Sequence, residues 1–250
     1  MKTKIAIIGG GHIGTALREG LVQSGVARKN IAVSDSPRDN AGVTKKADLI
    51  FIAVKPTVVP RVLTEIREAA KGKAIISLAA GVKVYSLQKW LGRAEGIGRI
   101  MPNMPIASTQ GIVGLYGSTL SRAQRARVRK LLGNLGLFME VKKEKELDAL
   151  SLIAGCGPAV AAYFVETLAR SGVKLGFTKS TSEALAYATF AGTLAYLRDA
   201  KISPSELIRA VATKGGVTET MLSELEKDVP KSFARALKMG KKHIRKIGKK

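Results

Sequence analysis

Lys4-Ile5-Ala6-Ile7-Ile8-Gly9-Gly10-Gly11-His12-Ile13-Gly14 decides the fold. An unbroken apolar run of this length reads as a strand buried on both faces, the type found in parallel sheets. Three glycines stop it at once, and the residues from Gly14 to Ser24 carry a helical period with Ala16, Leu17, Gly20 and Leu21 on one face. Gly9, Gly11 and Gly14 fit G-x-G-x-x-G in the strand–turn–helix context that gives the pattern meaning. Gly9 suits a tight turn, Gly11 a close approach of pyrophosphate, and Gly14 the packing of helix on strand. The free N–H groups of the helix start then face the phosphates. Ile8, Gly9, Gly10, Gly11, His12, Ile13 and Gly14 are therefore candidate cofactor residues. Asp35 follows the second strand at the spacing of the acid that holds NAD ribose hydroxyls. Ser34, Ser36 and Arg38 surround it and suit a 2′-phosphate, so the cofactor reads as NADPH or NADH.

Further apolar runs at Asn30–Ser34, Asp48–Val54, Ala74–Leu78, Gly98–Met101, Ile112–Tyr116 and Gly136–Val141 alternate with helical stretches. That alternation implies an α/β fold, an N-terminal Rossmann doubly wound, mainly parallel sheet. From Leu147 onward no convincing strand appears. Ala159–Arg170, Ser180–Ala200, Ser203–Ala212 and Thr218–Leu225 read as helices. The division expected from this change of period is residues 1–146 for dinucleotide binding and 147–250 for an all-helical substrate and dimerisation domain.

Composition narrows the function. The 250 residues hold one Cys, so no internal disulfide can form, and a reducing, cytoplasmic setting is expected. The two histidines, His12 and His243, cannot supply a zinc site or a Ser-His-Asp triad, and no metal is expected. No apolar run approaches the roughly 20 residues of a membrane span. The net charge of +23 raises the question of nucleic acid, but no recognition motif accompanies it. The densest run, Lys238–Lys250, contains no aromatic residue for base stacking. The charge reads as a solvated surface that attracts small anions, and neither nucleic acid nor membrane is an expected partner.

Several short motifs in order resemble the pyrroline-5-carboxylate reductase family. They are Gly9–Gly14, Ala53-Val54-Lys55-Pro56, Ser77-Leu78-Ala79-Ala80-Gly81-Val82 and Met101-Pro102-Asn103-Met104-Pro105. Asp148-Ala149, Gly155-Cys156-Gly157-Pro158-Ala159, Gly172–Gly176 and Gly215-Gly216-Val217-Thr218 continue the series. The resemblance implies an oxidoreductase that moves a hydride from NAD(P)H to the C=N carbon of 1-pyrroline-5-carboxylate, yielding L-proline. It also implies a homodimer through the helical domain, with larger rings of dimers. By this resemblance Ala53, Val54, Lys55, Pro56, Leu78, Ala79 and Ala80 line the nicotinamide half of the cofactor. Asn103 would hold either the carboxamide or a loop backbone. Thr213, Gly215, Gly216, Val217 and Thr218 would bind the substrate carboxylate, with the Thr218 hydroxyl near the imine nitrogen as the catalytic contact. Glu144 matches an acidic position near the substrate. Rival readings on this scaffold are a reductase of a related cyclic imine or small hydroxy acid, and a catalytically silent basic binding protein.

Four features depart from the family. About a dozen residues separate Asp35 from Asp48, too few for the usual helix plus edge strand. Ala154, Cys156 and Val160 replace two hydroxyls and an aromatic, and Cys156 reads as a small core residue. Thr213-Lys214 stands for Ser-Pro, and Lys201 for an acid.

Overall fold

A computed structural model describes residues 3–92 and 96–247. Lys249 and Lys250 of the basic run lie outside the described residues. Seven strands form one sheet in the order β2-β1-β3-β4-β5-β6-β7. They are β1 (Ile5–Ile8), β2 (Ile31–Ser34), β3 (Leu49–Ile52), β4 (Ala74–Ser77), β5 (Ile97–Pro102), β6 (Gly111–Tyr116) and β7 (Gly136–Glu140). All neighbours are parallel except β5 and β6, which pair antiparallel. Helices α1 (His12–Gln23), α2 (Pro37–Lys46), α3 (Val59–Ile66), α4 (Val84–Leu91) and α5 (Arg122–Leu132) connect the strands.

Alternation along the strands builds two cores. Ile5, Ile7, Leu49, Phe51 and Ile76 pack with Leu17, Leu21 and Leu131 on one face. Ala6, Ile8, Ile50, Ile52 and Ile75 pack with Val62, Leu63 and Leu87 on the other. Both faces of the sheet are covered, which explains why the central strands are uniformly apolar. The inner stripe of α1 is Gly14, Ala16, Leu17, Gly20 and Leu21, as its period requires.

The short link after β2 keeps its helix and loses its edge strand. Ser36 caps α2, its hydroxyl accepting from the Arg38 N–H at 3.3 Å, and Pro37 opens the helix. At the far end the Lys73 ammonium donates to the Thr44 and Lys45 carbonyls, both at 2.6 Å. Burial holds the Lys73 pKa below its ordinary value, against the opposing pull of Asp48. Helix α2 is thus closed at both ends, and β2 becomes the border of the sheet.

After β7 the chain is helical: α6 (Glu144–Leu150), a π-helical turn (Ser151–Gly155), α7 (Gly157–Lys174), α8 (Lys179–Ala200), α9 (Pro204–Val211) and α10 (Val217–Ile247). Two compact units result, Met1–Pro158 with Gly240–Lys250, and Ala159–Met239. Helix α10 runs well beyond the expected stop at Leu225 and carries Pro230 within it. Pro230 forfeits one backbone bond, yet the apolar spacing of Phe233, Leu237 and Ile244 continues the helical period past it.

Two expectations need correction. Glu144–Lys174 is continuous helix and contains an 18-residue window of mean hydropathy 1.5, apolar and long enough to cross a membrane by those criteria alone. Small polar interruptions hid it from a reading that sought an unbroken run. Cys156 is exposed rather than core, because it sits at the end of the π turn. In the second unit Ala169 and Ala186 are the only fully buried apolar side chains among the described residues.

A partly buried charge cluster around Arg99 ties α6 to the sheet. Arg99 on β5 is 4% exposed and donates to Glu144 at 2.8 Å. The same Glu144 oxygen accepts from the Val84 N–H at 2.7 Å, at the start of α4. Lys83 pairs with Asp148 at 3.0 Å, and Arg99 lies 3.8 Å from it. Removing one member of a buried pair strands the other charge. Glu144→Ala should lower the unfolding free energy by about 3 kcal/mol, read from urea denaturation. An unchanged midpoint would mean that Arg99 does not depend on Glu144.

Candidate active site

Strand register creates a row of candidate positions. Ile8 is level with Ser34 on one side and Ile52 on the other, and Ile52 is level with Ser77. Gly9, Asp35, Ala53 and Leu78 each follow directly, so they line the carboxyl ends of neighbouring strands. The connections leave β1 toward β2 on one side, while β3 flanks it on the other. That is the switch point where open α/β sheets bind ligands.

The glycine turn is built by close contact. Gly9 has φ +110°, and an added Cβ would lie 2.6 Å from the Ala53 carbonyl oxygen. A Cβ on Gly14 would strike the Gly9 carbonyl. The Ala53 N–H donates to the Ile8 carbonyl at 2.7 Å, and the Leu78 N–H to Ile52 at 2.9 Å. Gly11 differs: nothing lies within 4 Å of a Cβ placed there. It is also the N-cap of α1, with no side chain capping the helix and no acid in the first turn. Free N–H groups beside open space fit a dinucleotide pyrophosphate. His12 is exposed and Ile13 half-buried at that helix start.

Asp35 accepts a short hydrogen bond from the Gly10 N–H, so it braces the turn. Ser34 is buried, and the one proton of its hydroxyl is shared between Asn40 Oδ1 at 2.8 Å and the Ser36 carbonyl at 3.0 Å. Asn40 in turn donates to Glu65 on α3 at 2.8 Å. Val54, Lys55 and Pro56 continue from Ala53, with Lys55 exposed, and Ala79 is buried beside half-buried Ala80. Asn103 uses both ends of its amide internally. Its oxygen accepts from the Ile112 N–H at 2.8 Å, and its nitrogen donates to the Ala154 carbonyl at 3.2 Å. Of the two roles open to it, holding backbone is the one these bonds display. Glu144 likewise spends its carboxylate on Arg99 and Val84. The residues sequence reading overlooked are Arg99 and Lys83; the signal was a charge inside the apolar run Ile97–Met101.

The second unit holds the other candidates. Gly215 has φ +74° and precedes α10. Its N–H donates to the Glu219 carboxylate at 2.7 Å, and the Gly216 N–H to the Thr213 carbonyl at 2.9 Å. Val217 is exposed and Thr218 half-buried in the first turn of α10. Among the described residues no group of His, Cys, Asp and Glu could hold a metal.

Comparison with known proteins now bears on this arrangement. Residues 144–247 match the family model for pyrroline-5-carboxylate reductase dimerisation. Residues 4–81 match that for NADP oxidoreductase, coenzyme F420-dependent. A pyrroline-5-carboxylate reductase 3 of Danio rerio is 34% identical over 242 residues, 90% of this chain and 84% of the relative. The chain belongs to the pyrroline-5-carboxylate reductase family. The reductase of Pseudomonas aeruginosa is 30% identical, covering 89% of this chain and 88% of its own. The crystal structure of the Plasmodium falciparum pyrroline carboxylate reductase, with NADP bound, superposes with a TM-score of 0.90 at 25% identity over 99% of both chains. The Coxiella burnetii reductase gives 0.86 at 26% identity over the full length of both. In this family the match spans both units, and the short α2 link lies inside it.

Gly11 and Gly14 separate binding from folding. Gly11 has φ −63° and ψ −177°, which alanine adopts without strain. Gly11→Ala should change stability by less than about 1 kcal/mol, yet weaken NADPH binding at least about tenfold. Gly14→Val should unfold the N-terminal unit, seen by circular dichroism. Unchanged affinity in Gly11→Ala, measured calorimetrically, removes pyrophosphate from the start of α1.

Proposed function

We propose that this chain is an NAD(P)H-dependent reductase that converts 1-pyrroline-5-carboxylate to L-proline. The uncapped, open start of α1 carries the reading, in a chain that matches the family through both units. When bound, a reduced nicotinamide supplies a hydride to the C=N carbon. Ile8 to Gly14 hold the pyrophosphate, and Ser34 and Asp35 shape the ribose end through the bonds that fix the turn and α2. Ala53 to Pro56 and Leu78 to Ala80 form the wall for the nicotinamide half. Asn103 and Glu144 act as positioning residues, keeping β5, β6, α4 and α6 together.

Thr213, Gly215, Gly216, Val217 and Thr218 hold the substrate. Backbone N–H groups before α10 suit its carboxylate, and Glu219 now fills part of that demand at Gly215. Thr218 offers its hydroxyl to the ring nitrogen. A protonated imine brings its own proton and is already electrophilic, so the protein's work is orientation and exclusion of water. The reading divides labour between residues 1–146 and 147–250.

The second unit buries too little apolar surface to stand alone. Tyr187 and Leu194 on α8 are 71% and 65% exposed, and a groove of about 950 Å³ runs along α7 and α8 past Ala162, Val165 and Tyr187. A second copy through this unit, the region matched by the dimerisation model, covers that surface. The apolar stretch of Glu144–Lys174 then meets protein rather than lipid. Rings of dimers and a cytoplasmic location, consistent with the single free thiol, complete the proposal.

Purified protein should oxidise NADPH or NADH only when 1-pyrroline-5-carboxylate is present, with proline identified by mass. Dinucleotide binding without proline would shift the reading to a related imine. Thr218→Val should lower kcat by at least about tenfold, the worth of one hydrogen bond to a charged group. Tyr187→Glu with Leu194→Glu should halve the sedimentation mass; a dimer that survives both changes assembles elsewhere.

A further inference from the structure

The basic carboxyl-terminal run is a stripe rather than a cloud of charge. Lys231, Arg235, Lys238, Lys242 and Arg245 recur along α10 at steps of four, three, four and three residues. On a helix those steps return to one face, and the five positions span about 21 Å. All five are exposed. Lys241 and Lys246 flank the stripe. No acidic residue occurs after Asp228, and among the described ion pairs the last on this helix joins Lys227 to Glu224.

The apolar positions Val229, Phe233, Leu237, Gly240, Ile244 and Ile247 repeat with the same period on the opposite face. A Cβ on Gly240 would come 2.7 Å from Leu152 Cδ2, so this face meets the chain's own packing. A helix that inserts into lipid needs its apolar face free. Here Gly240 is taken up by that packing, Phe233 and Leu237 stay partly exposed, and the opposite face carries the cations.

We propose that the cationic face of α10 binds the phosphate backbone of double-stranded nucleic acid, without regard to sequence. A straight row of cations, one per helical turn, suits a linear polyanion that carries a charge about every 1.7 Å of its axis. The face has no aromatic side chain, so bases are not read. The sequence shows the run but not its alignment; the unbroken helix from Lys231 to Arg245 brings the five cations into line.

The test uses the full chain and a labelled 30-base-pair duplex of arbitrary sequence. Wild type should bind, with log affinity falling against log salt at a slope of about 3–5. Lys238→Glu/Lys242→Glu/Arg245→Glu should weaken binding at least about tenfold and lower that slope by about 3. Lys29→Glu/Lys46→Glu/Lys130→Glu removes the same charge elsewhere and should stay within about threefold of wild type. Equal losses in the two variants overturn the proposal, since bulk charge then explains binding. Capture by phosphatidylserine vesicles at a salt concentration that releases the duplex also overturns it. So does a raised KM for NADPH in the stripe variant, which would mean that the stripe steers the cofactor. Should the glutamate variant misfold by circular dichroism, the three glutamine replacements serve in its place, with the same outcomes.

Discussion

Three backbone segments meet where the first strand ends, and the N-terminal unit is arranged around that meeting. The turn at Gly9 lies against the Ala53 carbonyl, and Gly14 lies against Gly9. No side chain fits at either position, so the helix starts immediately after β1 and directs its N–H groups along the strand ends. Parallel register then carries the same level across the sheet, from Asp35 through Gly9 and Ala53 to Leu78. On the proposed reading, the affinity for phosphate is a property of this backbone, and side chains serve mainly to hold it. Asp35 shows the division: exposed as it is, its carboxylate accepts from the Gly10 N–H and so holds the turn.

Much of this is legible in the sequence. The seven strands announce themselves as short apolar runs because both faces of the sheet are covered, and the inner stripe of α1 follows from its period. Helices α2 and α4 were not, since each is short and polar or mixed, and what fixes them is tertiary: Lys73 across α2, Glu144 at α4. The sequence reading ends α10 at Leu225, whereas the helix continues even through Pro230, a residue that usually stops one. The continuing apolar spacing beyond Pro230 outweighs it.

The candidate site divides in the same way. Glycines and strand ends could be named from pattern alone, because their roles are backbone roles. Asn103 and Glu144 could not be settled so, since a polar side chain's role depends on which partner reaches it first. In the fold both are already engaged, Asn103 with Ile112 and Ala154, Glu144 with Arg99 and Val84. Chemistry by orientation tolerates such an arrangement, for rigid neighbours keep the reacting faces aligned.

The missing strand beyond β2 has a cost of another kind. A sheet border exposes unpaired amides and carbonyls, which invite a foreign strand to join. Here the border is four residues long, enters from the cationic turn Arg28-Lys29 and leaves into Asp35. So brief a ledge, flanked by charge, gives an intruding chain almost nothing to grip. The deletion therefore shortens the protein without making it sticky, provided Ile31–Ser34 is never extended.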